Sequence, residues 1–151
     1  MSVSKGEAMP RRSEVSDPQE YNRLTAEEFR ANHGKTLGDF EGRPILVLTT
    51  VGAKTGAERV NPLIYADYGD RLIVCAAVGG SDTNPGWYYY ILGDPGVRVE
   101  VGEDDFRTTA IVTSGADREA IFAERCANSP AFNQYQAMTK RVIPIIALPR
   151  P

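Results

Sequence analysis

The chain has 151 residues, of which 42% are hydrophobic and 25% charged, and a formal net charge of −3. That size and balance fit one globular domain able to bury its own core without disulfides or metal, and the charge excludes any overall pull toward nucleic acid or anionic lipid. The two cysteines, Cys75 and Cys126, sit in apolar surroundings without metal-ligand spacing, and no secretory h-region opens the chain. The longest apolar runs, such as Ile45 to Leu48 and Ile143 to Leu148, are too short to cross a bilayer. A cytoplasmic protein without a membrane span is expected, with only peripheral membrane contact left open.

Residues Met1 to Ser16 carry almost no large apolar side chain, so a flexible tail is expected there, followed by a single domain over 17–151. Asp17-Pro18-Gln19-Glu20 supplies an N-cap, a first-turn proline and an acid, and Thr25-Ala26-Glu27-Glu28 a second capping box; this predicts a helix ending near Asn32-His33-Gly34. From Pro44 the pattern becomes β-rich. Ile45 to Thr50 reads as a buried strand, and Arg59 to Ala66 and Arg71 to Val78 as its successors in an antiparallel meander. Asn84-Pro85 opens a short helix ending at Gly93. Val97 to Val101 and Phe106 to Val112 form another hairpin, and Ser114 to Asp117 cap a helix running to about Ala127. Ser129-Pro130 starts a last helix, and Val142 to Leu148 makes a sixth strand. Six strands joined mostly by hairpins exclude a parallel dinucleotide fold and predict a small mainly β barrel of the α+β kind, with peripheral helices.

Two segments could carry chemistry. The turn Gly52-Ala53-Lys54-Thr55-Gly56, with Arg59 after it, gathers cations, a hydroxyl and backbone donors that can cradle a phosphate or carboxylate; a plain solvated hairpin reads equally well. Gly79-Gly80 leads through Asn84-Pro85-Gly86 into Trp87-Tyr88-Tyr89-Tyr90, and one helical face cannot hold four adjacent rings. Trp87 and Ile91 share a face and suit a core, while the others suit a wall for a flat conjugated ring. His33 reads as a capping or surface residue, and no nucleophile and base stand in a recognisable triad. Phe132, Tyr135 and Met138 form a stripe expected in the core, in which Tyr135 carries the only hydroxyl.

Phe29-Arg30-Ala31-Asn32, Phe40-Glu41-Gly42-Arg43-Pro44, Leu48-Thr49-Thr50, Gly52 to Gly56, Arg59 with Pro62-Leu63, Gly79-Gly80, Pro85-Gly86-Trp87-Tyr88, Asp94-Pro95 and Arg141-Val142-Ile143-Pro144 occur in that order. In this ordered set the chain resembles the deazaflavin-dependent nitroreductase family, the A branch of the flavin/deazaflavin oxidoreductases, over nearly everything after the tail. The resemblance implies a split β-barrel binding coenzyme F420, an 8-hydroxy-5-deazaflavin with an anionic phospholactyl-polyglutamate tail. It implies that Lys54, Thr55 and Arg59 hold that tail. It places the ring against Val60, Asn61, Pro62, Leu63 and Ile64 and the strand end Cys75, Ala76, Ala77 and Val78, with Gly86, Trp87, Tyr88 and Tyr90 closing the site. Tyr135 then lines the acceptor side as the catalytic hydroxyl. Ala77-Val78 stands where relatives often have Ser-Lys, Tyr90 where they often have Asn, and Ala53 where Arg is frequent.

The expected activity is hydride transfer from the reduced deazaflavin to an activated acceptor such as a quinone, enone, lactone or nitroaromatic, with no metal. Such chemistry belongs to the cofactor, which accounts for the missing triad. Two alternatives stay open: the same barrel holding flavin mononucleotide (FMN), and a non-catalytic carrier of a lipid or tetrapyrrole. Either a monomer or a homodimer is compatible with the sequence.

Overall fold

The computed structural model describes residues 16–35, 41–52, 55–76, 84–128, 134 and 136–151. Helix α1 spans Pro18–Ala31 and starts as its sequence predicts: Pro18 lies in the first turn, and the Asp17 carboxylate accepts a hydrogen bond from the Gln19 N–H at 3.0 Å. Its buried positions Tyr21, Leu24, Thr25, Ala26, Glu28 and Phe29 recur at helical spacing and form one face. After α1 the chain builds β1 (Ile45–Val51), β2 (Glu58–Ile64), β3 (Ala66–Tyr68) and β4 (Arg71–Cys75). Helix α2 (Gly86–Gly93) is followed by β5 (Gly96–Val101), β6 (Asp104–Thr109), β7 (Ile111–Val112), α3 (Gly115–Asn128) and β8 (Ile145–Pro149).

The strands form two four-stranded antiparallel sheets, ordered β2-β1-β5-β6 and β3-β4-β8-β7. This corrects the expectation of six strands in one closed barrel: there are eight among the described residues, and the ladders do not close. The physical reason is a pair of corners. The run Arg59 to Ala66 breaks at Tyr65, whose N–H donates to the Pro44 carbonyl, and the run Phe106 to Val112 breaks at Ala110, whose N–H donates to the Pro95 carbonyl. At each corner an edge strand of the first sheet, β2 or β6, continues as an edge strand of the second, β3 or β7. The Thr108 hydroxyl ties the second corner by donating to the Pro149 carbonyl at 2.7 Å. The last strand starts at Ile145 rather than Val142, because the Ile143 N–H is taken by the Gln136 side chain instead of a ladder. Of the helix expected from Ser129-Pro130, residues 129–133 lie outside the described residues, and 134, 136 and 137 are helical.

Strand β1 is buried on both faces, which is why it reads as an unbroken apolar run rather than an alternating one. Leu46 and Leu48 point between the sheets, into a core shared with Leu72, Val74, Trp87, Ile91, Val99, Ile146 and Leu148. Ile45 and Val47 point the other way, onto Ala26 and Phe29 of α1. On the far side Ile73, Ile145 and Ala147 of the second sheet meet Ile121 of α3 and Ile143. The order of layers is therefore α1, first sheet, second sheet, α3, with α2 closing the core between the sheets. Each fully buried Leu or Ile contributes roughly 1.5–3 kcal/mol relative to exposure.

The end of α1 is fitted to the β5–β6 turn. Gly34 has φ +88°, and a Cβ there would stand 2.5 Å from Gly102 Cα, so only glycine allows the approach. Beside it Arg30 forms a two-pronged pair with Glu100, both bonds 2.8 Å, and His33 Nδ1 lies 2.8 Å from Glu103. No helix among the described residues is long and apolar enough to cross a membrane.

Candidate cofactor site

Among the described residues strand β2 has β1 on one side only, and its other edge carries no strand. The bonds from Gly52 N–H to the Ala57 carbonyl and from Tyr65 N–H to the Pro44 carbonyl set the alternation of the β1–β2 ladder. By that alternation Arg59, Asn61 and Leu63 hold the ladder, while the main-chain groups of Glu58, Val60 and Pro62 turn outward. A proline, which has no N–H to donate, is tolerated at just such a place. The side chains alternate too: Leu63 packs on the core between the sheets, Val60 and Ile64 on the α1 face.

Around this edge lies a cavity of about 580 Å³, within the usual range for small-molecule sites. The start of α1 forms one wall through Asp17, Gln19 and Arg23, β2 the floor through Glu58, Arg59, Val60 and Asn61, and the start of α2 the other wall through Pro85, Gly86, Trp87 and Tyr90. Helix α2 begins at Pro85 with no side-chain cap; the Tyr88 N–H donates to the Pro85 carbonyl at 3.1 Å, while the N–H groups of Gly86 and Trp87 have no partner among the described residues where the helix start lines the cavity. A Cβ added at Gly86 would meet nothing within 4 Å, so there is room against the backbone.

The charges of the cavity are not equivalent. Arg23 is engaged by Glu20 and Glu27 of its own helix, and the Glu20 carboxyl is held below its ordinary range by that hydrogen bond. Arg59 has no carboxylate partner among the described residues. Its Nε donates to Tyr90 Oη at 3.0 Å, and its guanidinium carbon lies 5.9 Å from the Tyr90 ring centroid. Tyr90 in turn leans on the preceding turn, its ring 3.6 Å from the place of a Cβ on Gly52. An aromatic hydroxyl thus orients the cation while leaving its terminal nitrogens available.

Of the residues expected at the site, Arg59, Val60, Asn61, Gly86, Trp87 and Tyr90 line this one cavity. The others among the described residues do not. Thr55 accepts a bond from the Ala57 N–H at 3.2 Å, so its hydroxyl serves the turn itself. Pro62 is buried, Leu63 and Tyr88 pack on the core between the sheets, Ile64 packs under α1 and Cys75 under α3, and Ala76 is fully buried. Lys54, Ala77, Val78 and Tyr135 lie outside the described residues. Met138 is 66% exposed, which corrects its expected place in a core stripe. The sequence reading missed the first turn of α1, whose Asp17, Pro18 and Gln19 looked like a cap and nothing more; only the packing of α1 beside β2 reveals their second role.

Three comparisons bear on this site. The family described as F420H(2)-dependent quinone reductase matches residues 21–149. The F420H(2)-dependent quinone reductase of Mycobacterium tuberculosis (strain ATCC 25618 / H37Rv) is 34% identical over 128 residues, covering 81% of this chain and 85% of that protein. A solved structure of an F420-H2 dependent reductase (FDR-A) superposes with a TM-score of 0.65 at 32% identity, covering 70% of this chain and 94% of the other. Another, described as a domain-swapped dimer, superposes with a TM-score of 0.67 at 29% identity, covering 87% of this chain and 99% of the other.

Proposed function

From the premise that the chain belongs to the F420H(2)-dependent quinone reductase family, we infer that it is an oxidoreductase whose cofactor is coenzyme F420 and whose acceptor is a quinone. When bound, the reduced deazaflavin supplies a hydride from its C5 carbon. The task of the protein is to bind, orient and exclude water.

The observation that carries our reading of the site is the guanidinium of Arg59, without a carboxylate partner among the described residues, beside the uncapped start of α2, on a cavity large enough for a ring system. These groups suit an anionic tail: a charged fork, free backbone donors and the positive end of a helix. Lys54 and Thr55, next to them in sequence, extend the same site in our proposal. Tyr90 offers a flat face for the ring, Trp87 a mostly buried part of the wall, and the outward main chain of Val60 offers a donor and an acceptor to its polar edge. Pro62, Leu63, Ile64, Cys75, Ala76 and Tyr88 then support the site from behind, and we assign Ala77 and Val78 to the same site.

We place Tyr135 on the acceptor side, where its hydroxyl orients the quinone or passes it a proton at Oη. Tyr135→Phe then lowers catalytic efficiency about tenfold, roughly 1.4 kcal/mol, without changing coenzyme affinity. We read the two sheets, joined at their corners, as a split barrel forming one domain over 17–151, working in the cytoplasm. A homodimer is the favoured assembly, since a relative covered almost throughout is described as a dimer.

The test is a fluorescence titration with coenzyme F420, with FMN as competitor, followed by reduction of a soluble benzoquinone. Micromolar or tighter binding, about 8 kcal/mol, with FMN clearly weaker and quinone turnover present, is expected. A bound yellow flavin with no deazaflavin binding would replace the cofactor, and co-purified lipid or tetrapyrrole without turnover would replace the enzyme by a carrier.

A further inference from the structure

Among the described residues the start of α2 has little local support. Its N-cap is Pro85, which offers no side-chain bond, yet Trp87 and Tyr90 in its first turns must hold their places for the cavity to keep its shape. The support comes from 57 residues away. Arg141 Nη1 donates to Asn84 Oδ1 at 2.7 Å, and Arg141 Nη2 donates to the carbonyl of Ala76 at 3.0 Å. Asn84 directly precedes Pro85, and its Nδ2 faces Tyr89 Oη at 3.5 Å. Ala76 directly follows β4 and is fully buried.

Arg141 itself stands on a fixed base. Its carbonyl accepts from Gln136 Nε2 at 2.7 Å, and its N–H donates to Thr139 Oγ1 at 3.3 Å. Gln136 Oε1 accepts from the N–H of Ile143, which is fully buried, and the Ala76 N–H donates to the Pro144 carbonyl at 2.9 Å. One guanidinium therefore bridges the end of β4, the entry to α2 and the segment before β8. The planar fork of arginine reaches two diverging acceptors at once, which the single ammonium of lysine cannot reproduce.

We propose that Arg141 is a positioning residue of the reductase: by holding Asn84 and Ala76 together it sets the start of α2, and with it the places of Trp87 and Tyr90 on the cavity wall. Tyr90 carries the effect further, because its hydroxyl is the partner of Arg59. The proposal rests on reading the cavity as the cofactor site. A misplacement of about 1 Å from a residue remote from the chemistry can lower a rate a hundredfold, so such a brace matters to function beyond its share of stability.

The test uses the full chain as Arg141→Ala, Arg141→Lys, Asn84→Ala and the double alanine variant. Trp87 is the only tryptophan, so acrylamide quenching of its emission, without coenzyme and below the melting transition, reports on α2 alone. Quenching should rise about twofold in both single alanine variants, no further in the double variant, and less in Arg141→Lys. The dissociation constant for coenzyme F420 should rise about tenfold in the alanine variants and recover in part with lysine. If Arg141→Ala fails to fold, Asn84→Ala, which removes the Arg141 bond and the 3.5 Å contact to Tyr89 Oη but keeps the bond from Arg141 to Ala76, decides, with Tyr89→Phe as the control that removes the second contact alone. Unchanged quenching in Asn84→Ala would show that α2 holds itself and overturn the proposal, and so would altered quenching with coenzyme affinity within twofold of wild type. Should the wild-type chain bind no coenzyme, the cofactor reading fails, while quenching still decides whether Arg141 sets the start of α2.

Discussion

Two charged regions lie on opposite edges of the first sheet and use their arginines differently. At the β5–β6 edge the groups satisfy each other: Arg30 clasps Glu100, Arg98 clasps Asp105 at 2.7 and 2.9 Å, and His33 meets Glu103. A cavity is present there too, about 310 Å³, but acidic groups and their partners line it, leaving little for a ligand to pair with. At the β2 edge Arg59 has, among the described residues, the Tyr90 hydroxyl and no carboxylate, beside a helix start without a side-chain cap. The same residue type closes a structure in one place and leaves a valence open in the other. The difference lies in what surrounds each arginine, not in its presence.

If the β5–β6 edge is structural, the largest effect should come from the close approach that seats α1 on it. Gly34→Ala combines a positive φ with contact at 2.5 Å to the Gly102 backbone, and should cost about 2–4 kcal/mol. For a chain of this size that lowers the melting temperature by roughly 4–16 °C; a calorimetric scan indistinguishable from wild type would show that the turn yields freely.

Next in size is the contrast between arginines. Arg59→Ala should weaken coenzyme binding by about 1.5–3 kcal/mol, most at low salt, and leave stability nearly unchanged. Arg98→Ala should do the reverse. Tyr90→Phe, which removes only the hydroxyl orienting Arg59, should weaken binding by about 0.5–1.5 kcal/mol. Equal affinities for wild type, Arg59→Ala and Tyr90→Phe across ionic strengths would mean that the turn and its arginine are merely solvated surface.

The smallest effect concerns pH. The Arg98 hydrogen bond holds the Asp105 carboxyl below its ordinary value of 3.8. A depressed carboxyl contributes stability that is present above its unfolded value and lost as pH falls through the folded one. The stability lost in Asp105→Asn should therefore be steady above about pH 5 and vanish progressively below about pH 4. Because the pair is half exposed, its size should stay under about 1 kcal/mol. A difference that grew on acidification would reverse the assignment.

Much of this was legible in the sequence, for identifiable reasons. The cap at Asp17-Pro18 and the apolar run of β1 are local signals, and both elements stand where their residues place them, while the hairpin at Gly102 is tighter than its sequence suggests, Asp104 and Asp105 already pairing with Val101 and Glu100. The corners at Tyr65 and Ala110 were not legible, because nothing in a β-rich run announces a change of sheet; the bend is fixed by partners at Pro44 and Pro95. In the site, Arg59 and Trp87 were found from composition and resemblance. The first turn of α1 and the Arg141 brace were not, since both depend on contacts tens of residues apart. Position along β2 also separates residues that the sequence treats as one stretch: Glu58 to Asn61, at its start, line the cavity, while Leu63, near its end, belongs to the core.

The central claim is that the coenzyme occupies the cavity between α1, the outer edge of β2 and α2. The lone tryptophan makes this directly measurable, because Trp87 lines that cavity and its emission overlaps the absorption expected of a deazaflavin. Titrating coenzyme F420 into the wild-type chain should quench Trp87 emission saturably, with the same midpoint as the change in coenzyme fluorescence, and Arg59→Ala should shift both midpoints together to higher concentration. Saturable binding that leaves Trp87 emission untouched would place the coenzyme elsewhere and contradict the account.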